Sequence, residues 1–206
     1  SGQFTMIGLD DTPKRAYSIT TSPLDTFIEF YSIKVPDGAL TSKLQNIQVG
    51  DFVNVSDKPV GNLVVENLDE GTDLWLLATG TGIAPFISML CDPYTYERFK
   101  TIHVLWSVRE KEEILAFDSF LQGLDNVEYT PIVTRDESWY GEKDRITTLI
   151  KEGKILKKVT PETDKVMICG NMDFNIEIRD ILLERGWKEG SNRENGSFLL
   201  EKAFVD

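Results

Sequence analysis

The chain has 206 residues, 41% of them hydrophobic and 27% charged, so it is long enough to bury the core of one large domain or of two small ones. Its formal net charge of −12 argues against a nucleic-acid partner, because phosphate backbones select basic surfaces. No apolar run approaches the roughly 18 residues of a membrane helix, and the start lacks the layout of a signal peptide, so we expect a cytoplasmic protein without a membrane partner.

The first third of the chain is predicted to form short β-strands. Aromatic and β-branched residues cluster in four segments, which Asp, Pro and Gly residues separate. These segments are "QFTMIGL", "RAYSIT", "TFIEFYSIKV" and "DFVNVS", at residues 3–9, 15–20, 26–35 and 51–56. One short helix is expected at "TSKLQNI", residues 41–47. The pattern indicates a small antiparallel β unit.

Apolar strands alternate with helical stretches from residue 74 onward. The predicted strands are "LWLLAT", "TIHVLWSV", "VEYTPIVT" and "KVMICG". The predicted helices are "APFISML", "EEILAFDSFLQGL", "RITTLIKEGKIL" and "FNIEIRDILLERG". Such alternation predicts a parallel sheet with helices on its faces. The polar segment "ENLDEGTD" separates this unit from the first, which gives predicted domains of residues 1–68 and 72–206.

The segment "LATGTGIAPF", residues 77–86, joins the first strand of the parallel unit to a helix. Gly80 and Gly82 permit backbone angles that other residues avoid and let another molecule approach the main chain. Pro85 suits a first helical turn, where free amides favour a phosphate. The spacing G-x-G-x-x-P differs from the G-x-G-x-x-G fingerprint, so the loop alone is equally consistent with a plain strand–helix turn.

Two motifs in the first unit have the residue types of a phosphate or ring site. Arg15 and Tyr17 share one face of the strand at "RAYSIT", where a guanidinium can hold a phosphate and a phenol ring can stack. A half-exposed strand is the simpler interpretation of that motif. Thr41 follows a Pro-Asp-Gly turn and is either an ordinary helix cap or part of a second anion site.

The order of the motifs along the chain resembles that of a known family. "GQF", "RAYSIT", "FYSIKVPDGALTSKL", "KPVGNL", "LATGTGIAPF", "CGN" and "EKAFVD" follow one another and together resemble the bacterial branch of the ferredoxin/flavodoxin–NADP reductases. The resemblance covers essentially the whole chain. It implies a two-domain β plus α/β fold, in which an antiparallel FAD-binding β-barrel precedes a Rossmann-like NADP-binding domain with a parallel sheet. It also implies that roughly thirty residues, the opening strands of the barrel, are missing before "GQF", which leaves strand edges unpaired.

The resemblance implies that the first unit and the C-terminus bind FAD. Arg15 would pair with the pyrophosphate, to which residues 39–41 would give amides and a hydroxyl. Ala203 stands where plant-type relatives carry an aromatic residue that stacks on the flavin. The residues implied to contact FAD are Arg15, Ala16, Tyr17, Ser18, Tyr31, Ser32, Ile33, Lys34, Ala39, Leu40, Thr41, Ala203 and Phe204.

The resemblance also implies an NADP(H) site at the strand ends of the second unit. Three arginines would hold the 2′-phosphate, whereas the ribose of NADH is usually recognised by an acidic residue. The alternative left open is that each arginine pairs with a neighbouring carboxylate on an acidic surface. The residues implied to contact NADP(H) are Gly80, Thr81, Gly82, Arg109, Glu110, Thr134, Arg135, Arg145, Gly170 and Asn171.

Three residues are implied to act at the reacting rings: Ser18, Cys169 and Glu201. Cys169 would lie near the nicotinamide, although cysteine is also a common buried residue. Neither cysteine has the spacing of a metal site or a disulfide. Packing roles alone are expected of Trp75, His103 and Trp106.

The resemblance implies a monomeric enzyme that transfers hydride between NADPH and FAD, and single electrons between FAD and ferredoxin or flavodoxin. Both carriers tend to be acidic, so a local basic patch of Lys14, Lys34 and Lys43 is expected to oppose the net charge. Two alternatives remain at this point. One is an NAD(P)H-linked flavin reductase subunit of an oxygenase-type complex, and the other is a flavin-free nucleotide-binding regulatory protein.

Overall fold

The computed structural model describes residues 1–35 and 37–202, which form two β-sheets. The first sheet is antiparallel and has three strands: β1 (Phe4–Gly8), β2 (Arg15–Ser18) and β3 (Asn54–Val55). Strand β1 lies in the middle, with Thr5 opposite Tyr17 and Ile7 opposite Val55. Thr5 and Ile7 are buried, so β1 turns one face to the interior.

Residues 26–35, which the sequence predicts as a strand, do not form one. Within this segment Phe30 forms an isolated bridge with Ile19, and the Glu29 carbonyl accepts a hydrogen bond of 2.9 Å from the Thr20 amide. The side chains of Phe27 and Ile28 are 61% and 56% exposed, so strand-like composition is not matched here by a surface to pack against.

Two other predicted elements of the first unit are shorter than expected. The strand predicted over 51–56 is reduced to β3, whose two residues are both exposed. The helix predicted over 41–47 is a single turn, α1 (Thr41–Leu44). Such short elements are stabilised by their tertiary contacts rather than by local propensity.

The second sheet has five strands, all parallel. They are β4 (Asp73–Thr79), β5 (Thr101–Val108), β6 (Val127–Val133), β7 (Asp164–Gly170) and β8 (Phe198–Lys202). Their order across the sheet is β6-β5-β4-β7-β8. The first four strands are predicted by the sequence, and β8 is an addition. The predicted fold class, an antiparallel β unit followed by a parallel α/β unit, is confirmed.

Helices cover both faces of the parallel sheet. They are α2 (Ala84–Leu90), α3 (Pro93–Arg98), α4 (Asp118–Gln122), α5 (Ile146–Lys151) and α6 (Met172–Glu184). The apolar residues of α2 and α4 join one core cluster and those of α5 and α6 join the other. The longest of the described helices has 13 residues, and none combines the length and apolarity needed to cross a membrane.

Two predicted helices are interrupted. The stretch 112–124 divides into a 3₁₀ turn (Lys111–Ala116) and α4, and the stretch 145–156 is helical only in α5. Helix α3 is not predicted by the sequence pattern, although its start is conventional: the Asp92 side chain accepts a hydrogen bond of 3.1 Å from the Tyr94 amide, and Pro93 occupies the first turn.

The order of the parallel strands places a crevice beside β4. The chain runs from β4 outward through β5 to β6, and then returns to β7 on the other side of β4. In open parallel sheets, ligands bind at the carboxyl ends of the strands where the order reverses in this way. The expected site therefore lies where β4 and β7 end, at Thr79 and Gly170.

The core beneath the parallel sheet also takes in residues that precede β4. Leu63 and Leu68 are fully buried within the same cluster as Leu74 and Leu76 of β4. A 3₁₀ turn (Val65–Asn67) lies between these two leucines. The domain boundary that the sequence predicts, between residues 68 and 72, remains a prediction.

Candidate functional site

A glycine loop lies at the carboxyl end of β4, where the expected crevice begins. It is a 3₁₀ turn (Gly80–Ile83) that leads into α2, whose first turn holds Pro85. Gly80 has a left-handed φ of +52°, and a Cβ there would meet nothing within 4 Å. A Cβ on Gly82 would lie 2.1 Å from the Cys169 carbonyl oxygen. The loop is therefore pressed against the end of β7 on one side and open on the other, which fits a nucleotide that approaches the backbone.

Trp106 holds this loop in place. Its indole N–H donates a hydrogen bond of 2.8 Å to the Gly80 carbonyl oxygen, and the residue has no exposed surface. The sequence predicts only a packing role for Trp106. A pattern of apolar residues cannot reveal the hydrogen bond, because it depends on where β5 is placed beside β4.

Thr81, between the two glycines, is half-buried. Its hydroxyl makes no hydrogen bond within residues 1–35 and 37–202, whereas its carbonyl accepts one from the Ala84 amide. The side chain is thus not required by the turn, and its oxygen is available to a ligand.

Two of the predicted catalytic residues are neighbours in the sheet. Cys169 of β7 pairs with Glu201 of β8, and Cys169 is 1% exposed. Burial raises the pKa of the Cys169 thiol, and the nearby Glu201 charge raises this pKa further. The thiol is therefore protonated at neutral pH and is suited to contact rather than to nucleophilic attack.

Glu201 connects β8 to the segment that follows β3. Its Oε2 accepts a hydrogen bond of 2.8 Å from the Asn62 amide, and a Cβ on Gly61 would lie 2.8 Å from the same oxygen. Burial raises the pKa of Glu201 to about 7, although the backbone amides of Asn62 and Leu63 oppose that shift of the pKa. A carboxyl group with such a pKa can hold or release a proton at physiological pH.

Asn175 supports Glu201 from α6 and is not indicated by the sequence pattern. Its Nδ2 donates a hydrogen bond of 2.8 Å to the Glu201 carbonyl oxygen, and the residue is 1% exposed. Its Oδ1 is buried without a hydrogen-bond partner in the part of the chain that the structure describes. The third predicted catalytic residue, Ser18, lies at the end of β2 and pairs with Phe4, whose amide donates a hydrogen bond of 2.8 Å to the Val60 carbonyl oxygen.

The residues of β2 and of the segment 31–34 that are predicted to contact FAD lie beside each other. Tyr17 is half-buried and meets Phe30 edge-on, with ring centroids 6.4 Å apart. The Ser32 hydroxyl lies 3.5 Å from the Tyr17 hydroxyl. Arg15 and Ala16 precede Tyr17 on the same strand and are also half-buried, while Ser32, Ile33 and Lys34 are exposed. The structure thus brings residues 15–18 and residues 31–34, which are both predicted to contact FAD, close to each other.

The predicted pyrophosphate segment surrounds the start of α1. Leu40 and Thr41 are buried, and the Thr41 hydroxyl donates a hydrogen bond of 3.3 Å to the Val35 carbonyl oxygen. Ala39 is exposed. No acceptor among the described residues takes the backbone amides of 39–41. Backbone amides without an acceptor fit an anion site. The Thr41 hydroxyl, by contrast, already donates to Val35.

Arg109 and Arg135 are brought together by hydrogen bonds between the ends of β5 and β6. The Arg135 amide donates to the Arg109 carbonyl at 2.9 Å, and both the amide and the hydroxyl of Thr134 donate to the Val108 carbonyl at 3.0 Å. The Glu113 carboxylate accepts from the amides of Arg109 and Glu110, at 3.0 and 2.8 Å. The backbone of this predicted phosphate site is therefore well anchored.

The guanidinium groups of Arg109, Arg135 and Arg145 are exposed and form no ion pair with any described residue. Asp144, directly before Arg145, is instead engaged by Lys154 at 2.9 Å. The structure thus gives no support to the alternative in which each arginine pairs with a neighbouring carboxylate. Unpaired arginines in a chain of charge −12 fit a dianionic ligand.

Gly170 and Asn171 complete the crevice at the end of β7. A Cβ on Gly170 would lie 2.3 Å from Oγ1 of Thr79, so only glycine fits beside β4. The Asn171 Oδ1 accepts a hydrogen bond of 3.0 Å from the Phe174 amide and caps α6. The structure thus gives Asn171 a role as a helix cap, and its contact with NADP(H) stays a prediction. Ala203 and Phe204 lie outside the described residues.

The chain is similar to known oxidoreductases. Residues 76–180 match the model of the oxidoreductase NAD-binding domain family. The chain is 44% identical to the flavodoxin/ferredoxin–NADP reductase of Rhodobacter capsulatus, over all of this chain and 83% of the relative. It is 40% identical to the ferredoxin–NADP reductase of Pseudomonas aeruginosa, over all of this chain and 87% of the relative.

A solved structure is similar over almost the whole chain. The ferredoxin NADP+ reductase of Neisseria gonorrhoeae, crystallised with bound FAD and NADP, superposes with a TM-score of 0.91 at 32% identity. The match covers 98% of this chain and 86% of that one.

Proposed function

The chain belongs to the ferredoxin/flavodoxin–NADP reductase family and is an FAD-dependent NADPH oxidoreductase, and from this premise we propose how its residues serve the two cofactors. When bound, NADPH and FAD supply hydride transfer between their rings and one-electron transfer to a protein carrier. The chain itself supplies binding, orientation and a proton site.

One observation carries the proposal. The glycine loop after β4 lies against Cys169 and Gly170, and Glu201 beside them is hydrogen-bonded to Asn62, in the segment that leads out of the antiparallel sheet. The predicted nicotinamide residues therefore lie beside Glu201, whose partner Asn62 follows β3, and this contact supports a common region for the two rings. Alignment of two reacting rings in contact is mainly a positioning contribution, and this region provides it.

On the NADP side we assign the 2′-phosphate to Arg109, Arg135 and Arg145, whose guanidinium groups have no carboxylate partner within the described ranges. Thr81 contacts the nicotinamide, and Gly80 gives the nucleotide access to the backbone. Cys169 contributes a neutral thiol at the ring. These assignments favour NADPH over NADH, because arginines without a carboxylate partner gain most from the additional phosphate.

On the flavin side we assign the pyrophosphate to Arg15 and to the amides of 39–41, and the ring to Tyr17 and Ser18. Glu201 is the proton-holding group at the ring edge, since burial raises its pKa to about 7. Its hydrogen bond from Asn62 keeps the carboxyl group in place whether or not it carries a proton.

Ferredoxin is the redox partner that the family's name implies. We propose flavodoxin as a second carrier, a monomeric state and a cytoplasmic location. We also propose Lys14 and Lys34 as the centre of the docking patch. Lys43, expected in the same patch, forms an ion pair with Asp11, which reduces its net contribution.

The proposal is tested by a visible spectrum of the purified chain, followed by anaerobic addition of NADPH. Bands of bound flavin that bleach with NADPH and far less with NADH are expected. A colourless protein that cannot be reconstituted with FAD would contradict the flavin assignment. Equal turnover with NADPH and NADH would contradict the arginine assignment.

The docking patch is tested by Lys14→Ala and Lys34→Ala, with Lys58→Ala as an exposed control lysine. Reduction of ferredoxin should slow in the first two variants and not in the control. Reduction of ferricyanide should stay unchanged in Lys14→Ala and Lys58→Ala, because a small acceptor needs no docking surface. Lys34→Ala is judged on ferredoxin reduction alone, since Lys34 is also predicted to contact FAD. An equal loss of rate with ferredoxin and with ferricyanide in Lys14→Ala would contradict the docking patch.

A further inference from the structure

Three aromatic side chains connect the glycine loop to the segment predicted to hold FAD. The Trp106 indole N–H donates to the Gly80 carbonyl oxygen at 2.8 Å. The Phe117 ring lies 6.1 Å from the Trp106 ring, at an interplanar angle of 52°. The Tyr31 ring meets the Phe117 ring edge-on, with centroids 5.1 Å apart and an angle of 73°. Aromatic contacts of this geometry stabilise beyond the area they bury.

This contact anchors a segment that is otherwise loosely held. Ser32 and Ile33, which follow Tyr31, are exposed, and residues 26–35 form no strand of the antiparallel sheet and contact it through an isolated bridge at Phe30 and a few hydrogen bonds of Glu29 and Ser32. Tyr31 by contrast packs against the core cluster beneath the parallel sheet, and burial raises its pKa. Its ring is therefore held by the core of the parallel unit, although Tyr31 lies in the segment between β2 and β3 of the antiparallel unit.

Phe117 also ends the turn that carries the predicted phosphate site. The Phe117 amide donates to the Ile114 carbonyl at 3.1 Å and closes the 3₁₀ turn Lys111–Ala116. At the other end of this turn, Glu113 accepts from the amides of Arg109 and Glu110. A displacement of Phe117 would thus move the backbone that holds Arg109.

We infer that Trp106, Phe117 and Tyr31 are positioning residues, which set the spacing between the glycine loop and the FAD segment so that the nicotinamide and flavin rings meet. The inference rests on the proposed function and deepens it. None of the three side chains needs to touch the reacting atoms. We call the three residues the aromatic bridge.

The loop end of the bridge is tested by Trp106→Phe, which keeps a ring and removes the N–H donor. Trp75→Phe is the matched control, because the Trp75 indole donates to Asp164 at 3.0 Å on the other face of the sheet. In Trp106→Phe the Kd for NADP+ should rise about three- to tenfold, as expected for one lost hydrogen bond, while the Kd for FAD changes less than about twofold. Amide hydrogen exchange in residues 79–83 should become faster. The control should change none of these.

The flavin end is tested by Phe117→Leu, with Phe117→Tyr as the conservative variant and Phe120→Leu as the control on α4. Phe120 packs against the same core but contacts neither Trp106 nor Tyr31 through its ring. In Phe117→Leu the Kd for FAD should rise about two- to tenfold, and the change that NADP+ causes in the flavin absorption spectrum should weaken. In Phe117→Tyr, which keeps the ring, both the Kd for FAD and the spectral change that NADP+ causes should match those of the wild type.

The inference is contradicted if Trp106→Phe and Phe117→Leu match their controls in both Kd values and in the rate of amide hydrogen exchange. It is also contradicted if Phe117→Tyr shows the same weakened FAD binding and the same weakened spectral change as Phe117→Leu. Failure of the proposed function has a different signature, in which the wild-type chain takes up neither FAD nor NADP+. Even then, exchange in residues 79–83 and 30–33 decides whether the bridge holds these segments.

Discussion

Gly82 rests directly on Cys169: a Cβ on the glycine would lie 2.1 Å from the carbonyl oxygen of the cysteine and 2.6 Å from its carbonyl carbon. The backbone of Gly82 does not have a left-handed φ, so the position requires room and not conformational freedom. Gly80 is the opposite case, with a φ of +52° and open space around its Cβ position. The two glycines of "GTG" are thus required for different physical reasons.

We predict that Gly82→Ala destabilises the fold by about 3 kcal/mol, near the upper end of the usual range for overpacking. The atoms that a methyl group would meet belong to the backbone of β7 and cannot rotate away. Urea unfolding measures the change. Gly123→Ala is the control, since a Cβ there would meet its nearest atom at 3.3 Å, and it should change the free energy of unfolding by less than about 1 kcal/mol. Similar unfolding midpoints for Gly82→Ala and the wild type would contradict the prediction.

The central strands of the parallel sheet are predictable from the sequence because they are buried on both faces. Strand β5, for instance, is an apolar run in the sequence, "TIHVLWSV", with the same bounds as the observed strand. Strand β8 is not predictable, since "FLLEK" is short and ends in charged residues. It pairs with β7 in a parallel ladder and is also held by the hydrogen bond from Asn175 of α6 to the Glu201 carbonyl, and both contacts depend on the tertiary fold.

The first unit shows where local composition is insufficient. Residues 26–35 are rich in aromatic and β-branched residues, yet they do not form a strand within the described residues. Local composition is also insufficient for part of the candidate site. Motif order in the sequence indicated Glu201 and Cys169, whereas Trp106 and Asn175 act through single hydrogen bonds across the fold. Such contacts leave no periodic signal in the sequence.

We predict that Thr81→Val slows hydride transfer about tenfold, while the free energy of unfolding changes by less than about 0.5 kcal/mol. The hydroxyl has no partner in the described chain, so its loss does not weaken the turn. Stopped-flow reduction of the bound flavin measures the rate. Thr130→Val, at an exposed position of β6, should change neither quantity. A wild-type rate in Thr81→Val would show that the loop is an ordinary turn.

We predict that Arg109→Ala and Arg135→Ala each raise the KM for NADPH about tenfold or more and leave the KM for NADH unchanged. Each loses charge-assisted hydrogen bonds to a phosphate that NADH lacks, and such bonds contribute about 1.5–3 kcal/mol. The ratio of the two KM values is the measurement. Arg193→Ala is the control, because Arg193 is exposed in the loop before β8. Equal losses with both nucleotides would remove the arginines from the phosphate site.

We predict that stability depends on pH through Glu201. Burial raises the pKa of this carboxyl group from 4.5 to about 7, so the folded chain binds the proton more tightly than the unfolded chain. The contribution to the free energy of unfolding is then fully present below pH 4.5 and is lost as the pH rises through about 7. The upper limit of this loss is about 3 kcal/mol.

Comparison with Glu201→Gln isolates the effect, since glutamine does not titrate and its side-chain carbonyl can still accept the hydrogen bond from Asn62. Urea unfolding across this pH range should show the wild-type free energy falling more steeply than that of Glu201→Gln. Glu194→Gln is the control with the opposite pH dependence. Lys188 lowers the pKa of Glu194, so the contribution of Glu194 to the free energy of unfolding is lost as the pH falls. Parallel curves for the wild type and Glu201→Gln would mean that Glu201 is charged in the folded chain throughout, and it could not then hold a proton at the flavin edge.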